Sequence, residues 1–220
     1  MRITFEEIKN NETIRTYIKK ADESLRSLGF TELSFAHVTK VGVVARDILL
    51  KLGYSEREAE LAAIAGFMHD IGNVINRKDH AQSGAVMAFR ILDNMNCDPE
   101  DTATIITAIG NHDESTAFPV NPVAAALIIA DKCDVRSTRV RDNATIALDI
   151  HDMVNYGVTK SYVSVDAEAK IITLKIEIDT NICSVMEYFE IFLGRMMLCK
   201  KAAEALSIHF SLVINGQKMM

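Results

Sequence analysis

Closely spaced cysteines, a surplus of positive charge and long apolar runs are all missing from this 220-residue chain. Cys97, Cys133, Cys183 and Cys199 form no near pair, so neither a zinc knuckle nor a secreted disulfide framework is suggested. They are expected as buried thiols in a reducing compartment. A net charge of −6 argues against a general binder of nucleic acid or of anionic membranes, whose partners demand a positive excess. Any anionic ligand must therefore be met by a local site. The longest apolar run, Val123 to Ala130, falls far short of the roughly 20 residues that span a bilayer, and the first ten residues, MRITFEEIKN, lack the apolar region of a signal peptide. A soluble, cytoplasmic protein is expected. There are also no obvious repeats, low-complexity tracts or proline-rich linkers.

What is present is apolar bulk: 49% of the residues are hydrophobic, enough for one large domain or an ordinary domain with a small appendage. From about residue 10 to about 156 the apolar residues recur at helical spacing. The spacing predicts a helix starting after Thr31 and ending at Gly53. The next runs from a Ser55 cap, boxed by Glu58, to a stop at Gly72. Further helices are expected from an Asp79 cap to Leu92, from Asp98-Pro99 to Ile109, and from Asn121-Pro122 to about Val135. After Tyr156-Gly157 the period changes. Ile172, Leu174, Ile176 and Ile178 alternate with Thr173, Lys175 and Glu177, the pattern of a half-buried strand. Val158 to Val165 is expected as the preceding strand, Ile182 to Leu206 as a helix and Ile208 to Ile214 as a last strand, with His209 solvated. The expected class is α+β: a mainly helical bundle over residues 1–156 and a small β-β-α-β unit over 157–220. Three strands and a helix make a marginal core alone, so the unit is expected to pack on the bundle or to dimerise.

Several polar residues sit where apolar ones belong. Asp131 shares a helical stripe with Ala124, Leu127, Ile128 and Val135; His37 shares one with Leu33, Val41, Val44 and Ile48. His69 has Ala62 and Ala65 below it, and His112 follows Ile105, Ala108 and Ile109. His80 opens a helix and could point either way. Asp70, in a last helical turn, meets the negative end of the helix dipole and calls for a compensating positive charge. A single inward histidine is more often a hydrogen-bonded core residue than a ligand. Five such groups on four helices are different, because Asp70 and Asp131 would repel if brought together, and a cation neutralises them while binding neutral imidazoles. Ligation by nitrogen and oxygen without thiolate points to manganese, iron, cobalt, nickel, magnesium or zinc and does not choose among them.

The ordered set His37, His69-Asp70 and Asp131, with Ile71-Gly72 after the pair, resembles the HD-domain superfamily of metal-dependent phosphohydrolases over roughly residues 30 to 140. The resemblance implies an HD-type helical bundle in which His37, His69, Asp70 and Asp131 hold one divalent metal and Asp70 bridges to a second. His80 and His112 match the additional histidines of two-metal members such as HD-GYP phosphodiesterases and bacterial HD-type dinucleoside tetraphosphate hydrolases, which implies one or two ions. Asp113 stands where many two-metal members have a second histidine, as a substitute ligand or as an acid behind the ligands. Asn73 replaces the lysine of GYP-type relatives and Ala117-Phe118-Pro119 lies near the place of their signature, which speaks against cyclic-dinucleotide specificity. The third His-Asp dipeptide, His151-Asp152, follows the last ligand and is expected to be structural.

Two such ions would hold a water and lower its pKa toward neutrality, and the resulting hydroxide would attack phosphorus in line. No Ser-His or Cys-His arrangement supplies a side-chain nucleophile. Asp70 and Lys132 are the expected catalytic residues. Lys132, Arg136 and Arg139 are the expected contacts to substrate phosphate, and Arg77 and Lys78 form a second basic group after the pair. The bland alternative for these cations is ion pairing with Asp134 and Asp142 on a solvated segment. The expected activity is hydrolysis of a phosphate ester or anhydride in a small, nucleotide-like substrate by a homodimer. Two rivals stay open: a non-catalytic signalling protein that binds metal and nucleotide, and an HD-fold di-iron oxygenase.

Overall fold

The computed structural model describes residues 1–30, 32–140 and 150–220; Thr31, Arg141, Asp142 and the His151 side chain lie outside what is described. The helical part contains α1 (Phe5–Lys9), α2 (Glu12–Ser27), α3 (Phe35–Lys51), α4 (Glu56–Met68), a 3-10 turn over Ile71–Val74, α5 (His80–Asn94), α6 (Pro99–Gly110) and α7 (Pro122–Lys132). The capping chemistry explains most starts. Ser55 and Glu58 form the reciprocal capping box, and the Asp98 and Asn121 side chains each accept amide hydrogens ahead of a proline in the first turn. Asp79 departs from expectation. Its φ of 57° puts the backbone in the left-handed region, and its side chain caps nothing, because the chain reverses sharply there to enter α5. Two helices also stop early. α4 ends at Met68 and tightens into the 3-10 turn before Gly72, and α7 ends at Lys132 instead of Val135.

α7 is the axis of the molecule. Every residue from Val123 to Ala130 is buried, as expected of a helix that is apolar all round, and α3, α4, α6 and a C-terminal helix over Val185–Ala205 pack about it. Its last turn therefore carries Asp131 and Lys132 into the interior. The turn after α4 is pinned just as tightly. A Cβ on Gly72 would overlap the His80 carbonyl oxygen and the Gly84 amide, so only glycine lets α5 approach. Gly72→Ala should cost about 1–3 kcal/mol and shift α5 with His80; chemical denaturation at wild-type stability would contradict this.

After α8 (Ile150–Gly157) come β1 (Val158–Asp166), β2 (Ile171–Ile178), α9 (Val185–Ala205), β3 (His209–Ile214) and β4 (Gln217–Lys218), in a sheet ordered β1-β2-β3-β4. β2 alternates as predicted, with Ile172, Leu174, Ile176 and Ile178 buried, and pairs parallel with β3 through the α9 crossover. The short β4 was not expected, although Asn215-Gly216, both at positive φ, is the two-residue hairpin turn that makes it. Tyr188, Phe192, Met196, Cys199 and Ala203 bury one face of α9, which packs on α7 and β3. The bundle and the C-terminal unit share one hydrophobic core. His209 is exposed, and all four cysteines are buried and unpaired by disulfides. No helix among the described residues is long and apolar enough to cross a membrane.

Candidate metal centre

Each inward polar residue lies at the end of an element. His37 is in the first turn of α3, His80 opens α5, His112 follows α6, and Asp131 is in the last turn of α7. His69 and Asp70 come immediately after α4. Neighbours within a helix diverge by about 100°, so the pair can face one point only because the helix stops at Met68.

Two sets of donors result. In the first, His69 Nε2 lies 3.3 Å from Asp70 Oδ2 and 3.5 Å from Asp131 Oδ1, and His37 Nε2 lies 3.6 Å from the same Asp131 oxygen. In the second, Asp70 Oδ1 lies 3.1 Å from His80 Nε2 and 3.5 Å from His112 Nε2, with the two imidazole nitrogens 3.3 Å apart. Asp70 thus turns one oxygen to each set. Two ligands held at about 2.0–2.2 Å from one ion stand about 3–3.6 Å from each other, so this spacing fits a shared cation. His37, His69 and Asp70, then His69, His112 and Asp131, then Asp70, His80 and His112, could each hold a metal ion.

The opposite ring nitrogens fix the orientation. Nδ1–H of His69 donates to the Gly66 carbonyl at 2.8 Å, that of His112 to Ile109 at 2.6 Å, and that of His80 to Arg77 at 3.0 Å. His37 donates to Asp134 Oδ2 at 2.7 Å. All four rings therefore present Nε2 inward. The Nε2 atoms of His37 and His69 are buried and make no hydrogen bond among the described residues.

Burial should raise the two acids, but His69 with neighbouring donors outweighs it at Asp70, and Lys132 with His69 outweighs it at Asp131, so both are held well below the usual carboxylate range. His69 is the counterpart. Burial works against its charge, yet Asp70 and Asp131 push it up to about 10. Burial lowers His37 to about 4, with Arg139 adding to the effect, and also lowers His112. The protein alone thus answers its two buried acids with a proton on His69 and with Lys132, whose Nζ is 2.7 Å from Asp131 Oδ2. A divalent cation supplies the same positive charge at the same point to neutral imidazoles.

The centre forms the floor of a cavity of about 420 Å³. Asp70, His80, His112 and Asp131 line it, Lys132, Arg139 and Arg77 add positive charge, and Leu25, Phe30 and Leu33 give an apolar side. His37 and His69 lie beneath. Arg136 is not brought to the cavity, contrary to expectation: its Nε binds Asp134 Oδ1 at 3.0 Å and its Nη1 binds Thr138 Oγ1 at 2.9 Å. Asp134 itself is not on a solvated segment. It is 2% exposed, and its Oδ1 also lies 2.7 Å from Lys40 Nζ. Asp113 Oδ1 is 3.8 Å from His80 Nε2, on the inward side of that ring, and its Oδ2 accepts the Ser115 hydroxyl at 2.5 Å.

Other lining residues carried no signal in the sequence. Asp152, half of the dipeptide expected to be structural, faces the same cavity, as do Asn155, Glu114, Phe192 and Arg195. Asp134, which lies outside the cavity against His37, had a local clue in standing three residues after Asp131.

The family model of the HD domain matches residues 34–137. Eight chains of solved structures match. One of them, a predicted HD superfamily hydrolase from an uncultured Thermotogales bacterium, is 22% identical, with 61% of this chain and 72% of that chain covered at a TM-score of 0.43. No curated protein matches. Residues 34–137, the stretch that matches the HD domain, contain all six histidines and aspartates of the two donor sets.

Proposed function

We propose that the protein is a metal-dependent phosphohydrolase that cleaves a phosphate ester or anhydride in a nucleotide-sized substrate. The observation that carries this reading is Asp70, which offers one oxygen to each of two donor sets on the floor of a cation-lined cavity. His37, His69, Asp70 and Asp131 would hold one ion, and Asp70, His80 and His112 a second, with Asp113 beside His80. When bound, divalent metals supply Lewis acidity toward a phosphoryl oxygen and an acidified water.

The chain's own residues supply the rest. Lys132 stays charged because Asp131 and Glu114 outweigh the burial that opposes it, so it can neutralise a phosphate oxygen beside Asp131. Arg139 is fastened by Nη1 to the Asp134 carbonyl at 3.1 Å and by Nη2 to the Glu32 carbonyl at 3.3 Å, and it presents fixed positive charge to the cavity. Leu25, Phe30 and Leu33 offer the apolar wall that a nucleoside needs.

Metal analysis followed by a hydrolysis screen over nucleotides, dinucleotides and phosphomonoesters tests the reading. Phosphate release dependent on added divalent metal is expected; no release with any metal would overturn it. In the same measurement His112→Ala should halve the bound metal, because it removes one of two imidazoles from the second set. An unchanged ratio would remove His112 from the ligands.

A further inference from the structure

A line of alternating charge leads from the metal centre to the C-terminal unit. Asp131 Oδ2 meets Lys132 Nζ at 2.7 Å, Lys132 Nζ meets Glu114 Oε1 at 3.5 Å, and that same oxygen meets Arg195 Nε at 2.6 Å. Arg195 comes from α9. Its guanidinium lies 4.6 Å from the centroid of the Phe192 ring, and Phe192 is fully buried, so the head rests on a rigid platform. Its closest approach to Glu114 is through Nε. Lys132, Glu114 and Arg195 all line the cavity. Two cations sharing one oxygen of a half-exposed carboxylate form an anion site that already holds an internal anion.

We propose that Lys132 and Arg195 make an anion subsite completed by the C-terminal unit, which takes the phosphate next to the one held at the metal centre. Glu114 is its built-in counter-ion and gives way when that phosphate arrives. The substrate class follows: compounds with at least two adjacent phosphates, in preference to phosphomonoesters. The Nη fork of an arginine suits a phosphate's paired oxygens, and charge-assisted bonds of this kind are the strong ones. The substrate preference rests on the hydrolase reading above; the anion subsite does not.

The test is calorimetric binding of methylenediphosphonate and methylphosphonate, neither of them hydrolysable at phosphorus, to the full chain loaded with manganese and dialysed. Wild type should bind the diphosphonate about tenfold or more tighter than the monophosphonate, and Arg195→Ala should lose about 10- to 100-fold for the diphosphonate alone. Arg195→Lys should recover part of that loss. Glu114→Gln should tighten diphosphonate binding severalfold, since it removes the competing anion. This is the discriminating arm, because a salt bridge that merely ties α9 to the bundle predicts weaker or unchanged binding. Unchanged affinity in Arg195→Ala, or unchanged or weakened affinity in Glu114→Gln, overturns the subsite. If the binding pattern appears but no substrate is hydrolysed with any metal, the subsite stands and the hydrolase reading falls. If hydrolysis occurs without the binding pattern, the subsite alone falls.

Discussion

Asp70→Ala is expected to leave the protein without stoichiometric metal and without hydrolytic activity. Asp70 is the carboxylate common to both donor sets: Oδ2 faces His69 at 3.3 Å, while Oδ1 faces His80 at 3.1 Å and His112 at 3.5 Å. Truncation deletes an oxygen donor from each set at once, and the second is reduced to two neutral imidazoles, a weak site for a hard divalent ion. No neighbour is placed to substitute. Asp131 is already shared between His37, His69 and Lys132, and Asp113 stands 3.8 Å from His80 Nε2 with its other oxygen held by Ser115. Metal content measured after dialysis, with a circular dichroism melt to establish that the variant is folded, decides the matter. A folded variant with wild-type metal would sink the ligand assignment.

The second large effect is expected at a residue outside both donor sets that holds one of their histidines. Asp134→Asn should lower metal affinity about 10- to 100-fold and cost about 1–3 kcal/mol of stability. The carboxylate receives Nδ1–H of His37 at 2.7 Å, and its charge makes His37 a more basic donor at Nε2. Its other oxygen serves Lys40 at 2.7 Å and Arg136 at 3.0 Å. An asparagine can accept from one side only, and its amide then points hydrogens at cationic donors on the other. Lys40 and Arg136 are partly exposed and can be resolvated, which keeps the stability cost below that of a fully buried pair. Burial should raise Asp134, but the His37 hydrogen bond outweighs it and holds the carboxyl well below the usual range. Its contribution is therefore complete above about pH 4 and is lost only as pH falls further. Metal titration and denaturation at pH 7 and at pH 4 measure both effects. Equal affinity at pH 7 would show that Asp134 does not position His37, and a stability gap that widens in acid would contradict the electrostatic account.

Much of this centre was legible along the chain. His37, His69, His112 and Asp131 were marked by apolar residues three and four positions away, which forces them inward whatever the helices do next. The starts of α6 and α7, the end of α3 and the alternation of β2 follow from caps and periods of the same local kind. His80 was undecided, because a residue at a helix start has no preceding turn to fix its face; contact with Asp70 settles it. Asp79 misled, because a side chain's capping preference says nothing about the backbone reversal that the packing of Gly72 against α5 imposes.

The distinction between Arg136 and Arg139 was out of reach for a similar reason. Both follow Asp131 at short spacing, but the 3-10 turn over Ser137–Arg139 leaves one on Asp134 and the other on the cavity wall. Arg195 lies more than sixty residues beyond the last ligand, on a helix whose sequence shows only an apolar face. The amino-acid sequence by itself determined which polar groups are inside and in what order they come. Only the tertiary structure decided which charges face them from elsewhere, because burial is set by neighbours one helical turn away, whereas Glu114 meets Arg195 only through the way α9 docks against α7.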